Sequence, residues 1–340
     1  MSEVVIRPST EADLQGIADL FLPRKRDPEV FRYILTDAEG HLQSFVAETE
    51  GQIVGHVGYI MSDYRFNDEH LKGVFTIEWI VKEEFAGQAG LALYGKVMKL
   101  GDFTFIIGGT EVVNKIYPLL RFTVPIQIPR FIKVLKPLPY LKALNNPLWK
   151  RVAKTAYYSK GLFAGQAASG LQLVPHSGED FLPAIPSDTV VNRELRPHLD
   201  WLKRAPGVTP YLLTLQQGGL PKGTALVYTR TEGDIVSGRI VHLSFLGEDP
   251  ALWRGAISLL ENFLAEKGSC IVTTMASHPL FSNALLENGH NVVKESPLWL
   301  RDKPKRFRNE NIRWHFTYLE GDLAWRDVHI SDFRRPTLSA

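Results

Sequence analysis

The chain has 340 residues, of which 44% are hydrophobic and 22% are charged. This length exceeds that of one typical domain, and this composition excludes disordered and fibrous proteins. The single cysteine, Cys270, excludes an intrachain disulfide and a zinc site built from cysteines alone. No window approaches about 18 uninterrupted apolar residues, and the first residues do not form a signal core, so we expect a cytoplasmic protein.

The charge is close to balanced in total but unevenly distributed. The 39 basic and 37 acidic residues give a net charge of +2. From Val112 to Gly178, however, 67 residues contain ten Lys or Arg and no Asp or Glu, so that the rest of the chain carries a net charge of −8. A block of one sign indicates either a solvated face or a contact with an anionic partner.

The first 130 residues alternate between strand and helix signals. A short apolar strand ends at Pro8, and Thr10 followed by Asp13 is typical of a helix start. Apolar residues at helical spacing then predict a helix over residues 11–21. The later patterns predict strands at 44–48, 53–61, 74–81 and 103–107, a helix with Tyr94 on its apolar face, a helix near 112–120 and an extended run from Phe122.

The same order returns about 170 residues later, which predicts two similar domains. The patterns predict strands at 211–215, 224–228, 239–245, 271–275 and 291–293, and helices at 252–263 and 280–286. We expect an α+β (mixed α/β) chain in which each domain is a mixed, mostly antiparallel sheet flanked by helices. The predicted parts are a first domain at 1–130, a basic connecting region at 131–178, a second domain at 179–303 and a C-terminal tail with a Trp-rich strand at 304–340.

Four segments of the first domain carry a family resemblance: Val5–Asp13, Ile53–Gly58, Glu78–Gly90 and Asn114–Phe122. In this order they resemble the GNAT superfamily of acetyl-CoA-dependent N-acetyltransferases. The tandem arrangement and the tail segment from Trp314 are similar to bacterial cell-envelope and exopolysaccharide-associated acyltransferases. The resemblance implies acetyl-CoA or another acyl-CoA as co-substrate and implies no metal.

The third of these segments is the one that would hold coenzyme A. A loop before a helix presents unpaired backbone amides and the positive end of the helix dipole, which together bind a pyrophosphate. The family pattern is Gln/Arg-x-x-Gly-x-Gly/Ala, of which Gly87-x-x-Gly90-x-Ala92 keeps the last two positions. The resemblance implies that coenzyme A is bound by Trp79, Ile80, Val81, Gly87, Gln88, Ala89, Gly90, Leu91, Ala92 and Asn114.

The corresponding loop of the second domain is residues 246–255. It places Glu248 and Asp249 where phosphates would lie, and like charges repel. We therefore expect no coenzyme A in the second domain, whose expected role is structural or to close the acceptor site.

Two residues are candidate catalytic groups, because acylation of an amine needs a base for the ammonium and an acid for the leaving thiolate. Glu78 is the candidate base, as the lone carboxylate of the apolar strand 75–81; the alternative is a solvent-facing strand position. Tyr117 is the candidate acid, at the position where the resemblance implies a thiolate-protonating tyrosine. The alternative for Tyr117 is packing in the core at helical spacing.

Three further residues each have a structural and a functional interpretation. A lone histidine on an apolar strand, such as His56, is more often structural than catalytic. Gly108 and Gly109 either allow the pantetheine arm to approach closely or form a plain strand-to-helix turn. The other histidines show no metal-ligand spacing, so no metal is expected.

These features favour an acyl-CoA-dependent N-acyltransferase that acts on an amine or amino sugar by direct attack on the thioester. Two alternatives stay open: an inactive binding protein with the same fold, and a Fem-like transferase that uses aminoacyl-tRNA. The basic block fits a solvated face, an anionic small-molecule acceptor or a membrane surface. Apart from tRNA in the second alternative, nucleic acid is not an expected partner, since no recognition motif is present.

Overall fold

The computed structural model describes residues 3–21, 28–37, 39–163, 170–176, 185–193, 195–205, 207–232, 235–244, 246–308 and 311–321. Its contacts divide the chain into two compact units, neither of which is one continuous segment. Unit 1 comprises Met1–Pro125, Asn192–Pro197 and Pro297–Ile312. Unit 2 comprises Ile126–Val191, His198–Ser296 and Arg313–Ala340.

Unit 1 is built on a mixed sheet with the strand order β1-β2-β3-β4-β5, followed by residues 298–302 of β13. Only β4 and β5 are parallel; the other neighbours are antiparallel. The elements are β1 (Val5–Pro8), α1 (Leu14–Leu20), α2 (Pro28–Leu35), β2 (Ser44–Thr49), β3 (Gln52–Phe66), β4 (Glu69–Val81), α3 (Gln88–Val97), β5 (Phe103–Ile107) and α4 (Glu111–Ile116).

The core of unit 1 forms where α3 lies on the sheet. Leu93, Tyr94 and Val97 recur at helical spacing and are fully buried against Val57 and Val74 of the strands. The aromatic residues Tyr117, Phe122 and Trp299 extend this cluster. The apolar face of α3 therefore holds this helix on the sheet, and this packing sets the position of the α3 N-terminus relative to the end of β4.

Unit 2 has the sheet order β6-β12-β11-β10-β9-β7, in which only β11 and β12 are parallel. Apart from this sheet, β8 pairs with β14 through Thr189–Val191 and Arg313–His315. The elements are β6 (Gln127–Val134), α5 (Pro137–Ala143), α6 (Leu148–Tyr158), β7 (Leu171–Pro175), β8 (Thr189–Asn192), α7 (Leu195–Lys203), β9 (Val208–Gln217), β10 (Leu220–Glu232), β11 (Ile235–Leu243), α8 (Pro250–Glu266), β12 (Ile271–Met275), α9 (Pro279–Glu287), β13 (Asn291–Asp302) and β14 (Arg313–His315).

The α+β fold class and most predicted elements are confirmed, with differences at the ends. The predicted helix over 11–21 begins as a 3₁₀ turn, Glu11–Asp13, and continues as α1. The predicted helix near 112–120 ends at Ile116, because Pro118 lacks an N–H and Arg121 has a positive φ of 64°. Phe245, the end of a predicted strand, lies outside the described residues, as do the predicted boundary at 178 and the tail beyond residue 321.

None of the described helices is both long enough and apolar enough to cross a membrane.

Candidate active site

The end of β4 carries a β-bulge at the candidate base. Gly58 of β3 pairs with Ile77 and His56 pairs with Ile80, so Glu78 and Trp79 together oppose a single residue of β3. Glu78 adopts a φ of 48°, a conformation that non-glycine residues seldom take. Its side chain is half-buried. The strand geometry therefore deviates from a regular ladder at this point.

A buried histidine holds this bulge. The Nδ1 atom of His56 lies 2.9 Å from the carbonyl oxygen of Glu78, and since that oxygen can only accept, Nδ1 donates. His56 is fully buried, and burial lowers its pKa to about 4, so the ring is neutral near pH 7. The structure thus gives His56 a positioning role, which agrees with the structural interpretation of this residue.

The two parallel strands of unit 1 separate next to the bulge. Their pairing runs from Gly73 with Phe103 to Phe75 with Phe105, and does not extend to residues 76–81 of β4. On its other side β5 stays paired with residues 298–302 of β13. The β5-facing side of residues 76–81, beyond the last residue that pairs with β5, is called the β4 edge below. Parallel strands that part in this way leave a slot lined by backbone groups.

Two hydroxyl groups meet at the point of separation. The Thr76 Oγ1 lies 2.9 Å from the hydroxyl of Tyr94, and either of the two can donate. The ring of Tyr117 lies next to that of Tyr94, with 6.3 Å between the centroids. Burial raises the pKa of Tyr117 to about 12.

Tyr117 is also a core residue. It is 4% exposed, and its ring centroid lies 5.3 Å from that of Trp299 and 5.4 Å from that of Phe122. The packing role that the sequence left open for Tyr117 is therefore present. Packing and proton donation are compatible, because burial keeps the Tyr117 hydroxyl protonated near neutral pH.

The predicted phosphate loop leads into α3 without a side-chain cap. Gly87 is the N-cap residue, no side chain bonds to the first turn, and that turn holds no acidic residue. No heavy atom of the described residues lies within 4 Å of a Cβ built at Gly87, and Gly87 and Gln88 are exposed. The two carboxylates nearby in sequence, Glu83 and Glu84, belong to the preceding 3₁₀ turn. The helix therefore offers its unpaired amides to the surroundings.

The structure brings most of the predicted cofactor residues together. A Cβ at Gly90 would lie 3.7 Å from both Trp79 and Val81, so the end of β4 and the first turn of α3 are in contact. Ile80 lies between these two strand residues, and Ala89 is buried under the same turn, whereas Leu91 and Ala92 are exposed. The indole N–H of Trp79 is buried and has no hydrogen-bond partner among the described residues.

Asn114 and the glycine pair have local roles. The Oδ1 atom of Asn114 accepts a hydrogen bond of 3.1 Å from the indole N–H of Trp299. Gly108 and Gly109 have positive φ values of 88° and 135°, and a Cβ at Gly109 would lie 2.6 Å from Asn114 Oδ1. These glycines make the turn between β5 and α4, the plainer of the two interpretations.

Two residues of the site, Thr76 and Tyr94, were not predicted as functional. Tyr94 was placed on the apolar face of its helix, which is correct, but helical periodicity does not show where a hydroxyl ends. One sequence signal could have identified Tyr94 as functional: a tyrosine, rather than a wholly apolar residue, occupies a fully buried position of the helix.

The corresponding helix of unit 2 is closed by carboxylates. Asp249 caps α8 by accepting a hydrogen bond of 2.9 Å from the backbone N–H of Ala251. Glu248 accepts a hydrogen bond of 2.6 Å from Arg313. Both side chains that were expected to repel phosphates are therefore engaged within the protein.

Among the residues that the structure describes, no group of three or more His, Cys, Asp or Glu is arranged to hold a metal ion.

No protein-family model matches this chain, and no curated protein matches it in sequence. Solved structures do match. A GCN5-related N-acetyltransferase from Anabaena variabilis ATCC 29413 aligns with a TM-score of 0.54 at 12% identity, over 88% of this chain and 73% of its own. Saccharomyces cerevisiae N-myristoyltransferase with bound myristoyl-CoA aligns with a TM-score of 0.51 at 11% identity, over 89% of this chain and 83% of its own.

A protein from Enterococcus faecalis V583, described as a probable N-acyltransferase, aligns with a TM-score of 0.51 at 13% identity, over 89% of this chain and 73% of its own. Identities this low show the fold alone. The predicted GNAT-like fold is thereby confirmed: the chain has the fold of the GCN5-related N-acetyltransferases.

Proposed function

We propose that the chain is an acyl-CoA-dependent N-acyltransferase whose active site lies in unit 1, and that it transfers an acetyl or longer acyl group to an amine or amino sugar. The observation that carries this proposal is the separation of β4 from β5 after Phe75, together with the uncapped α3 N-terminus that follows β4. Solved structures of the same fold include a GCN5-related N-acetyltransferase and an N-myristoyltransferase with bound myristoyl-CoA, which supports the choice of co-substrate.

The pyrophosphate of coenzyme A is assigned to the first turn of α3. The amides of Gln88, Ala89 and Gly90 have no partners within the helix, and the helix dipole favours an anion there. Gly87 adds no side chain that would keep a phosphate away. The pantetheine arm would then run along the β4 edge, where an acceptor on the ligand would satisfy the buried indole N–H of Trp79.

The thioester carbonyl is assigned to the bulge. A bulge leaves backbone groups outside the ladder, and an N–H aimed at the carbonyl oxygen would stabilise the negative charge that develops on it. His56 keeps the bulge in this shape through its bond to the Glu78 carbonyl. On this proposal His56 is a positioning residue and does not touch the substrate.

The proposed reaction needs three proton transfers. The Glu78 carboxylate, directly or through water, takes a proton from the substrate ammonium, and the amine nitrogen then bonds to the thioester carbon. The carbon–sulfur bond breaks, and the leaving thiolate takes a proton from the Tyr117 hydroxyl. The acylated nitrogen then passes its second proton, through water, to the Tyr117 phenolate, which leaves a neutral amide. The raised pKa of about 12 keeps Tyr117 protonated at neutral pH until the thiolate forms.

One observation favours a second candidate, a binding protein of the same fold without catalysis. Tyr117 is almost completely buried among aromatic rings, and the loop lacks the Gln or Arg with which the family pattern begins. On this reading unit 1 would bind an acyl-CoA without turning it over.

Calorimetric titration with acetyl-CoA and myristoyl-CoA tests the binding step. We expect binding of at least one of them by the wild type, and a loss of roughly 30-fold or more in Gly87→Glu, which places a carboxylate beside the phosphates. The matched control is Gly95→Glu, at the other glycine of α3 with open space around its Cβ, which should bind as the wild type does. Absence of binding to every acyl-CoA would overturn the proposal.

Release of the coenzyme A thiol in the presence of a panel of amines separates the two candidates. We expect Tyr117→Phe to lower kcat by about 10²-fold or more while leaving the Kd for acyl-CoA unchanged. Tyr59→Phe, at a half-buried tyrosine of β3, is the control and should keep kcat. A wild type that binds acyl-CoA but releases no thiol with any amine would identify a binding protein.

A further inference from the structure

Helix α6 of unit 2 packs with its more polar face inward. The residues that face the protein are Arg151, Thr155 and Tyr158, at helical spacing. Arg151 donates a hydrogen bond of 2.7 Å to the carbonyl of Leu141, Thr155 is buried, and Tyr158 packs against the cluster around Ile132. A surface helix normally turns its apolar stripe to the core, so the burial of α6 is inverted.

The apolar stripe of α6 faces outward instead. Leu148 and Trp149 are 67% and 69% exposed, and Val152 and Tyr157 are 50% and 48% exposed. With the exposed residues Ala153 and Ala156 these side chains repeat every three to four positions and form one surface, here called the α6 apolar face. Leu138 on the neighbouring helix α5 is exposed as well. Exposed apolar residues that are contiguous mark an interaction surface.

The stretch of the chain that contains this face carries charge of one sign. Two lysines lie over its aromatic rings, with Lys150 Nζ 5.3 Å from the Trp149 ring centroid and Lys160 Nζ 4.7 Å from that of Tyr157. No acidic residue occurs between Val112 and Gly178.

Other basic residues of the block are turned inward. Lys133 is buried in an ion pair with Glu261, Arg130 is buried, and Lys136 bonds to the carbonyl of Ala265. The exposed positive charge of the block within unit 2 is thus concentrated on α5, α6 and the turn after α6, at Lys142, Lys150 and Lys160.

From this juxtaposition we propose that the α6 apolar face docks on the surface of an anionic phospholipid bilayer. Tryptophan and tyrosine place an apolar ring and a polar end at such an interface, and flanking lysines reach the phosphate groups of the lipids. A protein partner fits less well, because lysine is depleted at protein–protein interfaces. A nucleic acid fits less well because Leu148, Val152 and Leu138 would stay exposed to water on it.

Cosedimentation with lipid vesicles tests this proposal without reference to enzymatic activity. We expect the full-length protein to bind vesicles that contain phosphatidylglycerol, to bind phosphatidylcholine vesicles much more weakly, and to be released by salt. The double variant Trp149→Ser, Val152→Ser and the single variant Lys150→Glu should each weaken binding by roughly tenfold or more.

Matched controls come from the same unit. Leu220→Ser removes a leucine that is 65% exposed in another part of unit 2, and Lys294→Glu reverses an exposed charge outside the basic block; neither should change vesicle binding. On binding, tryptophan emission should shift to shorter wavelength in the wild type and not in Trp149→Phe. Equal binding to the two kinds of vesicle, or equal binding by the wild type and the α6 variants, would overturn the proposal.

Discussion

The two units contain the same run of elements but treat the same position in opposite ways. In each, three antiparallel strands lead to a helix and then to a strand parallel to the third: β2-β3-β4-α3-β5 in unit 1 and β9-β10-β11-α8-β12 in unit 2. The third strand is bulged in both, at Glu78 and Trp79 in β4 and at Val241 in β11. The helix that follows is uncapped in unit 1 and capped by Asp249 in unit 2.

The space beyond the paired strands differs as well. In unit 2 the pairing of β11 with β12 ends at Ile240 and Thr274. The segment 314–320 is buried and bonds to the residues beyond: His315 donates through Nε2 to the Leu243 carbonyl at 2.8 Å, and Ser277 donates its backbone N–H to the Phe316 carbonyl at 3.0 Å. In unit 1 the β4 edge lies beyond the last residues that pair β4 with β5, Phe75 and Phe105.

On the proposed function, this difference separates a unit that holds a ligand from one that replaces it. The first turn of α3 in unit 1 has no side-chain cap, so its amides are available to an anion. In unit 2 the protein itself supplies the carboxylate for the helix and the residues that follow the paired strands. The proposal therefore assigns unit 2 a structural role.

The largest expected contrast between the units is their sensitivity to acid. In unit 2, burial lowers the pKa of His278 to about 4, the pKa of His315 to about 3, and the pKa of His242 well below its usual range. In unit 1, burial lowers the pKa of His56 to about 4. Each folded-state pKa lies below the unfolded value of about 6.5. The unfolded chain therefore binds protons first, and stability falls as the pH drops from about 6.5 towards 4.

Each such histidine costs about 1.4 kcal/mol per pH unit within this window, so at about pH 5 His278 and His315 together should cost unit 2 roughly 4 kcal/mol, whereas His56 should cost unit 1 roughly 2 kcal/mol. His242 acts in the same direction as the other two histidines of unit 2. Hydrogen exchange of peptides from β11 and β12, compared with peptides from β3 and β4 at pH 7 and pH 5, measures the two losses separately. Equal losses in the two units would contradict the prediction. The carboxyl of Asp13, whose pKa Arg7 lowers to about 2, loses its contribution only below this window.

The next contrast concerns Phe316, which is fully buried in segment 314–320. We expect Phe316→Ala to lower the free energy of unfolding by about 4 kcal/mol, because it removes a buried ring and leaves a cavity. Urea denaturation measures the change. Leu286→Ala, at a half-exposed leucine of α9, is the control and should stay within about 0.5 kcal/mol of the wild type. A loss below about 1 kcal/mol for Phe316→Ala would mean that the segment is not an integral part of unit 2.

The sequence was informative about local structure and much less so about pairing. Helical spacing predicted α3 and α8, and β-rich runs predicted β1 to β5 and β9 to β13, because these patterns depend on neighbouring residues alone. The strands β7 and β8 were not predicted. Nothing in residues 298–302 indicates that they pair with β5, nor anything in β6 that it pairs with β12, since both contacts join distant parts of the chain.

The candidate site shows the same limit. The loop before α3 predicted unpaired amides at its N-terminus, which the structure shows without a side-chain cap. The carboxylates at 248 and 249 predicted only that phosphates are repelled there; that Asp249 caps α8 was not predicted. The bulge at Glu78 and its bond to His56 were not predictable, because a bulge depends on the register with β3. The bond between Thr76 and Tyr94 likewise depends on where α3 rests on the sheet.

The smallest effect in free energy tests the contrast between the two helix ends most directly. Asp249→Ala removes the N-cap of α8 and should lower the free energy of unfolding by about 1 kcal/mol. Gly87→Asp, with a normal φ of −65° and open space around the new side chain, should change it by only a few tenths of a kcal/mol. The urea midpoint at constant m-value measures both changes.

Gly87→Asp should nevertheless lose acyl-CoA binding, because the new carboxylate lies at the amides to which the phosphates of acyl-CoA are assigned. If Gly87→Asp binds acyl-CoA as the wild type does, the α3 N-terminus is not the anion site, and the two helix ends differ in capping alone.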